Sequence, residues 1–106
     1  MFKPFFVRQN RKLKKIYPQD VVCLRIDENY TNIFCNDGKK YIVRSTLSGV
    51  LKKLPPDLFI KIHRTYAVSI NHIDDIAYDH LVMDGEPLPI GRQYRESLLG
   101  KLNIIE

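Results

Sequence analysis

VVCLRIDENYTNIFCNDGKKYIV, Val21 to Val43, reads as three strands joined by two turns. Val22, Leu24 and Ile26 alternate with Val21, Cys23 and Arg25, the pattern of a largely buried strand. Asp27-Glu28-Asn29 turns the chain, and Tyr30 to Cys35 forms the second strand. Asn36-Asp37-Gly38 is a strong hairpin signal, because Asx and Gly tolerate the positive φ that tight hairpin turns need. Lys39 to Val43 is the third strand. Turns this short leave no room for a crossover, so the sheet built here is antiparallel.

Upstream, Phe6–Arg8 and Leu13–Lys15 are short β-like pieces around a Gln9-Asn10-Arg11 turn, and Tyr17-Pro18-Gln19-Asp20 breaks the pattern. Downstream the period changes. Ser45 or Thr46 can cap a helix whose Leu47, Val50, Leu51 and Leu54 fall at helical spacing, and Pro55-Pro56 ends it. Phe59 to Ser69 is β-like again. Ile73 and Ile76, then Leu81 to Met83, suggest two more short strands. Asp84-Gly85 turns the chain toward Pro87–Ile90. Arg92 to Leu102 reads as a closing helix with Tyr94, Leu98, Leu99 and Leu102 on one face. Strand therefore outweighs helix, which is confined to residues near 46–54 and 92–102.

The 106 residues suit a single domain, residues 1–106, with one modest core. Apolar residues at 44% and charged residues at 27% place the chain in the ordinary globular range. No apolar run approaches the roughly 20 residues that cross a bilayer, and the charged start MFKPFFVR is too short for a secretory signal. The expectation is a cytoplasmic protein with no membrane partner. Cys23 and Cys35 are too few for a disulfide scaffold and are expected as free thiols. The net charge of +5 is uneven: Lys3, Arg8, Arg11, Lys12, Lys14 and Lys15 face only Asp20 in the opening segment. Such an excess favours polyanions, whose condensed counterions are released on binding.

Catalytic chemistry finds little support. His63, His72 and His80 stand in no metal-ligand frame, and Asp74, Asp75 and Asp79 read as a solvated turn. No phosphate-cradling glycine loop or nucleophile elbow is present, and nothing assembles a nucleophile with a base and an orienting group. No enzyme activity, cofactor or metal is expected. Three polar stretches are better explained by binding: Asp27 to Asn32, where Tyr30 and Asn32 would share a strand face; His63-Arg64-Thr65-Tyr66; and Gly91-Arg92-Gln93-Tyr94. Arginine forks two hydrogen bonds onto guanine, asparagine or glutamine onto adenine, and tyrosine or threonine reaches phosphate.

Taken together, these stretches resemble the LytTR family of bacterial transcription regulators. Phe59-x-Lys61-Ile62-His63-Arg64-Thr65-Tyr66-x-Val68 is similar to the family's most characteristic segment. Around it, in family order and spacing, stand Asn29-Tyr30, the Asp37-Gly38 turn, the Leu47–Leu54 helix, Ile73 and Ile76, Gly85, Pro89-Ile90 and Arg92. Two positions depart: Ile70 precedes Asn71 where the family often has Asn, and Gly91 stands where Ser is common, removing a hydroxyl.

The resemblance implies a mainly β fold, a compact stack of small, mostly antiparallel sheets with one or two short helices. It implies sequence-specific reading of promoter double-stranded DNA, in the major groove, from loops rather than from a recognition helix. Family contact positions fall on Tyr30, Arg64 and Arg92, with Arg64 and Arg92 aimed at successive major grooves. Asn32, Lys39, Lys40 and Gln93 are lesser candidates, chiefly for phosphate, and His63 and Tyr66 are framework. Such domains usually sit behind a receiver domain phosphorylated by a sensor kinase, and a pair could occupy repeated half-sites. A chain starting so near its first strand is either an excised fragment or a stand-alone regulator. The competing classes are a single-stranded nucleic-acid module, which needs exposed aromatic platforms, and a protein-interaction module whose basic ribbon meets an acidic partner.

Overall fold

The alternation of residues 21–43 is realised as three antiparallel strands, β3 (Val21–Asp27), β4 (Tyr30–Cys35) and β5 (Lys40–Val43). The computed structural model describes residues 2–106. Ahead of these strands lie β1 (Phe5–Gln9) and β2 (Lys12–Ile16). After them come α1 (Leu47–Leu51), β6 (Phe59–His63), β7 (Tyr66–Ser69), β8 (Asp75–Ile76), β9 (His80–Met83), β10 (Glu86–Pro89) and α2 (Arg95–Gly100). Strand clearly outweighs helix, in small antiparallel sheets, as the patterning and the resemblance implied.

Three layers result. The middle layer is a five-stranded sheet in the order β5-β4-β3-β7-β6. Against one face pack the β1–β2 hairpin and α1: Val7, Ile16, Leu47, Val50 and Leu54 meet Leu24, Ile33, Tyr41 and Ala67. Against the other face pack the β8–β10 sheet and α2, where Leu81, Met83, Ile90 and Leu98 meet Val22, Ile60, Ile62 and Val68. A middle sheet covered on both faces explains why β3, β6 and β7 carry near-continuous apolar runs.

Local chemistry accounts for the turns. Asn10 and Arg11 both hold positive φ, 51° and 63°, the signature of a two-residue turn matched to strand twist. Thr46 caps α1, its Oγ1 accepting from the Gly49 N–H at 3.0 Å.

Two expectations need correction. The first helix stops at Leu51, not near 54. Lys53 N–H donates to Val50 and Leu54 N–H to Leu51, three residues back, so the last turn tightens ahead of Pro55. The closing helix starts at Arg95, because Tyr94 N–H donates to Gly91 and holds Arg92–Tyr94 in a 3-10 turn. Phe59 to Ser69 is β-like as expected and forms a hairpin, reversed at Arg64-Thr65, with a register shift between Lys61 and His63.

Candidate nucleic-acid interface

The strand directions bring several turns to one end of the middle sheet. β3 ends at Asp27 opposite Tyr30 of β4. The β4–β5 register pairs Thr31 with Val43, so Arg44 emerges beside Tyr30, and its guanidinium lies 5.9 Å from the Tyr30 ring centre. Arg25 pairs with Tyr66, and Ile26 N–H donates to the Thr65 carbonyl at 2.9 Å, which places the Arg64-Thr65 turn next along the row. Gly91 N–H donates to the Ile62 carbonyl at 2.8 Å and brings Arg92 and Gln93 in beside it. Arg44, Tyr30, Arg64 and Arg92 thus form one row across the sheet end. With strands about 4.8 Å apart, the row spans about 24 Å.

Each side chain is held by something local. His63 Nδ1 accepts from the Thr65 backbone N–H at 3.1 Å and lies 3.0 Å from Thr65 Oγ1. This clasp closes the turn and leaves Arg64 at its apex, exposed. The His63 ring also meets the Tyr66 ring edge-on at 5.9 Å, so both act as framework here. Lys61 Nζ lies 5.6 Å from the Tyr94 ring centre. Arg64 makes no ion pair among the described residues; neither Asp27 nor Asp57 holds it.

The β8–β9 turn flanks the same end. Ile90 N–H donates to the Asp79 carbonyl, and a hydrogen bond with His80 holds the Asp79 carboxyl below its usual value. Arg95 donates to the carbonyls of Ala77 and Tyr78 at 2.9 and 2.6 Å and stacks over the Tyr78 ring at 4.5 Å. Tyr78, 73% exposed, is presented on a braced turn next to Arg92.

The structure divides the residues singled out in the sequence. Tyr30, 41% exposed, and the exposed Arg64, Arg92 and Gln93 come together. Asn32 does not join them as an exposed side chain: it is 3% exposed and stands between Arg25 on β3 and Ile42 on β5. Lys39 and Lys40 lie at the β4–β5 turn, the opposite end of the sheet, and Lys39 pairs with Asp37 at 4.0 Å. Arg64 and Arg92, expected at successive major grooves, stand close together on the backbone. A Cβ on Gly91 would lie 3.7 Å from the His63 Cα, so the Cα atoms of Arg64 and Arg92 are at most about 13 Å apart. One helical turn of duplex is about 34 Å.

Arg44 was missed by sequence reading. Counting back along the hairpin from the Asp37-Gly38 turn sets it opposite Tyr30, so the signal was present. Among the described residues no three His, Cys, Asp or Glu side chains gather as a metal site, and no helix is long and apolar enough to cross a membrane.

Residues 11–103 match the sequence profile of the LytTr DNA-binding domain. The chain belongs to the LytTr DNA-binding domain family. A sensory transduction protein LytT of Bacillus subtilis is 29% identical over 92 residues, covering 81% of this chain and 38% of that protein. LytT of Enterococcus faecalis is 27% identical over 95 residues, covering 84% and 39%. This LytTr chain therefore spans under two-fifths of the relatives' length. Among solved structures, a LytTr DNA-binding domain of a methyl-accepting/DNA response regulator from Bacillus cereus superposes with a TM-score of 0.83. It has 23% identity and covers 98% of this chain and 100% of its own. That likeness speaks for the fold. The LytTr fold thus presents Arg44, Tyr30, Arg64 and Arg92 from turns at one end of the middle sheet.

Proposed function

We propose that residues 1–106 act as one unit that binds double-stranded DNA sequence-specifically, with the row Arg44, Tyr30, Arg64 and Arg92 facing the duplex. The observation that carries this reading is the convergence of these exposed side chains from four separate segments on one sheet end. Arginine forks at Arg64 and Arg92 suit guanine edges in the major groove, and Gln93 suits adenine or phosphate. Tyr30, stacked under Arg44, suits a sugar-phosphate or base-adjacent contact. Asp27 and Glu28 interrupt the positive row. A surface built only to attract polyanions would not carry them, which favours reading a shaped site over indiscriminate binding.

At about 24 Å the row covers less than one turn of duplex, so a longer operator needs a second copy on a repeated half-site. As in a sensory transduction protein, the domain would serve as the output of a cytoplasmic two-component response regulator, joined to a receiver domain that a sensor kinase phosphorylates, and would act on promoters. Selection of bound sequences from a random duplex pool tests the reading. The expected result is an enriched motif bound orders of magnitude more tightly than random duplex or single strand. No enrichment, or a preference for single strand, overturns it.

A further inference from the structure

Arg95 holds one turn at three points. Its guanidinium donates to the carbonyls of Ala77 at 2.9 Å and Tyr78 at 2.6 Å, and it lies 4.5 Å from the Tyr78 ring centre. Ala77 N–H donates to the His80 carbonyl at 2.8 Å and closes the turn. Yet Tyr78 is 73% exposed, more than any other aromatic side chain among the described residues, and none of them gives its hydroxyl a hydrogen-bond partner. A ring that served only the core would be covered. Ordering a free side chain on binding costs conformational entropy, and here the brace has ordered the ring beforehand.

Pairing fixes where this turn stands. Pro89 of β10 pairs with His80 of β9, and Ile90 N–H donates to the Asp79 carbonyl at 2.9 Å. Gly91 N–H donates to Ile62, one residue before the end of β6. The β8–β9 turn therefore lies at the same end of the molecule as Arg64 and Arg92. The β8–β10 sheet is a layer of its own, and stacked sheets lie about 10 Å apart, so Tyr78 is set about that far to the side of the row. A major groove is about 12 Å wide. From a side chain reading base edges in its middle, either bordering strand is about 6 Å away. A side chain displaced by a whole layer meets phosphate before it meets another base edge. Tyrosine is among the side chains that donate to phosphate oxygens. The neighbouring Asp79 carboxylate would oppose such a contact, but it is hydrogen-bonded to His80 at 2.8 Å, an imidazole able to carry the balancing charge.

We propose that Tyr78, held by Arg95, is a further DNA contact whose hydroxyl donates to a phosphate oxygen flanking the step read by Arg92. The proposal rests on the DNA reading above and extends it from one row to a second layer. Arg95 is a positioning residue in it and acts through the ring.

The test is affinity for the selected duplex, with a single neutral methylphosphonate placed at each phosphate of the site in turn. Tyr78→Phe keeps the ring over Arg95 and removes only the hydroxyl. It should weaken binding about two- to tenfold, on selected and random duplex alike, and leave the motif unchanged, since phosphate contacts carry no sequence information. One methylphosphonate, beside the base position that Arg92→Ala relaxes, should weaken the parent by a similar factor and Tyr78→Phe no further. Arg95→Lys keeps the charge but not the planar fork; it should weaken the parent and add little to Tyr78→Phe. Thermal melts should show all variants folded. Equal affinity of Tyr78→Phe and the parent, a loss on the selected duplex alone, or further loss in Tyr78→Phe at every phosphate each overturns the contact. A loss that arises only when a second copy occupies the duplex marks a contact between copies and overturns it as well. Equal losses from Arg95→Lys with and without the hydroxyl overturn the positioning role. A parent that binds no duplex overturns the DNA reading itself, so the two failures are distinct.

Discussion

Arg64 and Arg92 are exposed side chains on turns whose backbone is pinned, Arg64 by the His63–Thr65 clasp and Arg92 by the bond from Gly91 to Ile62. A guanidinium that forks onto guanine is worth about 1–3 kcal/mol of discrimination. Arg64→Ala and Arg92→Ala should each cost that much on the selected site and much less on random duplex, where only charge is lost. Lysine should restore the charge but only part of the specificity, since it lacks the planar fork. Equal losses on both duplexes would remove the base-reading role. Because the two residues lie within about 13 Å, the base positions they relax should fall within one turn of the site. Arg44→Ala should weaken every duplex, whereas Lys39→Ala and Lys40→Ala, at the far end of the sheet, should change affinity little. A loss for the lysines as large as that for Arg44 would contradict the placement of the row. The cysteines make a separate prediction. Burial pushes the thiols of both Cys23 and Cys35 to about 11, with Asp37 and Asp20 also raising Cys35. Only the thiolate reacts. Iodoacetamide should therefore modify the folded protein slowly at neutral pH, and the rate should keep rising with pH beyond the ordinary value of 9.0. Denaturant without reductant should expose two titratable thiols, since both are free. A rate that levels off near pH 9 would argue against their burial.

Elements place these residues, and their own weak points can be tested. The Arg92 turn depends on Gly91, where an added Cβ would meet the Tyr94 ring at 2.8 Å. Tyr94 occupies the space that a serine, common at this position in the family, would need. Gly91→Ala should force the ring aside at about 1–3 kcal/mol, the usual cost of overpacking, and should weaken DNA binding by shifting Arg92. Thermal melts and affinity measured together check this; a melt and an affinity both like the parent's would refute it. Thr46→Ala removes the α1 cap and should cost about 1 kcal/mol without altering the selected motif. In the β1–β2 turn, Arg11 holds a φ of 63° that glycine adopts at no steric cost. Arg11→Gly should raise the melting temperature slightly, and a lower one would show that the arginine side chain supports the hairpin.

At the scale of the whole molecule, binding should depend steeply on salt. Log affinity falls with log salt at about −0.9 per phosphate neutralised. The row supplies Arg44, Arg64 and Arg92, so a slope between about −1, if only Arg44 meets phosphate, and about −3, if all three do, is expected. Arg44→Ala should flatten it by about one unit. A flat response would remove the electrostatic argument. A single copy should protect about one turn of duplex or less from cleavage, the span of the row.

The strands and turns were legible from local chemistry. Val21 to Val43 alternates apolar and polar residues around Asx- and Gly-bearing turns, and period and turn type are set by near neighbours. The family pattern around His63-Arg64-Thr65-Tyr66 was legible for the same reason, since the clasp from His63 to Thr65 spans only two residues. The free thiols also followed from counting cysteines. What sequence patterning did not decide was which end of the sheet each turn occupies. Strand direction put Lys39 and Lys40 at the end opposite Tyr30, and neighbouring strands enclosed Asn32, although alternation gave it the same face as Tyr30. The bond from Gly91 to Ile62 joined Arg92 to Arg64 across a long stretch of chain. Those outcomes depend on pairing between strands distant in sequence, and pairing becomes definite only when the layers pack and exclude water from both faces of the middle sheet.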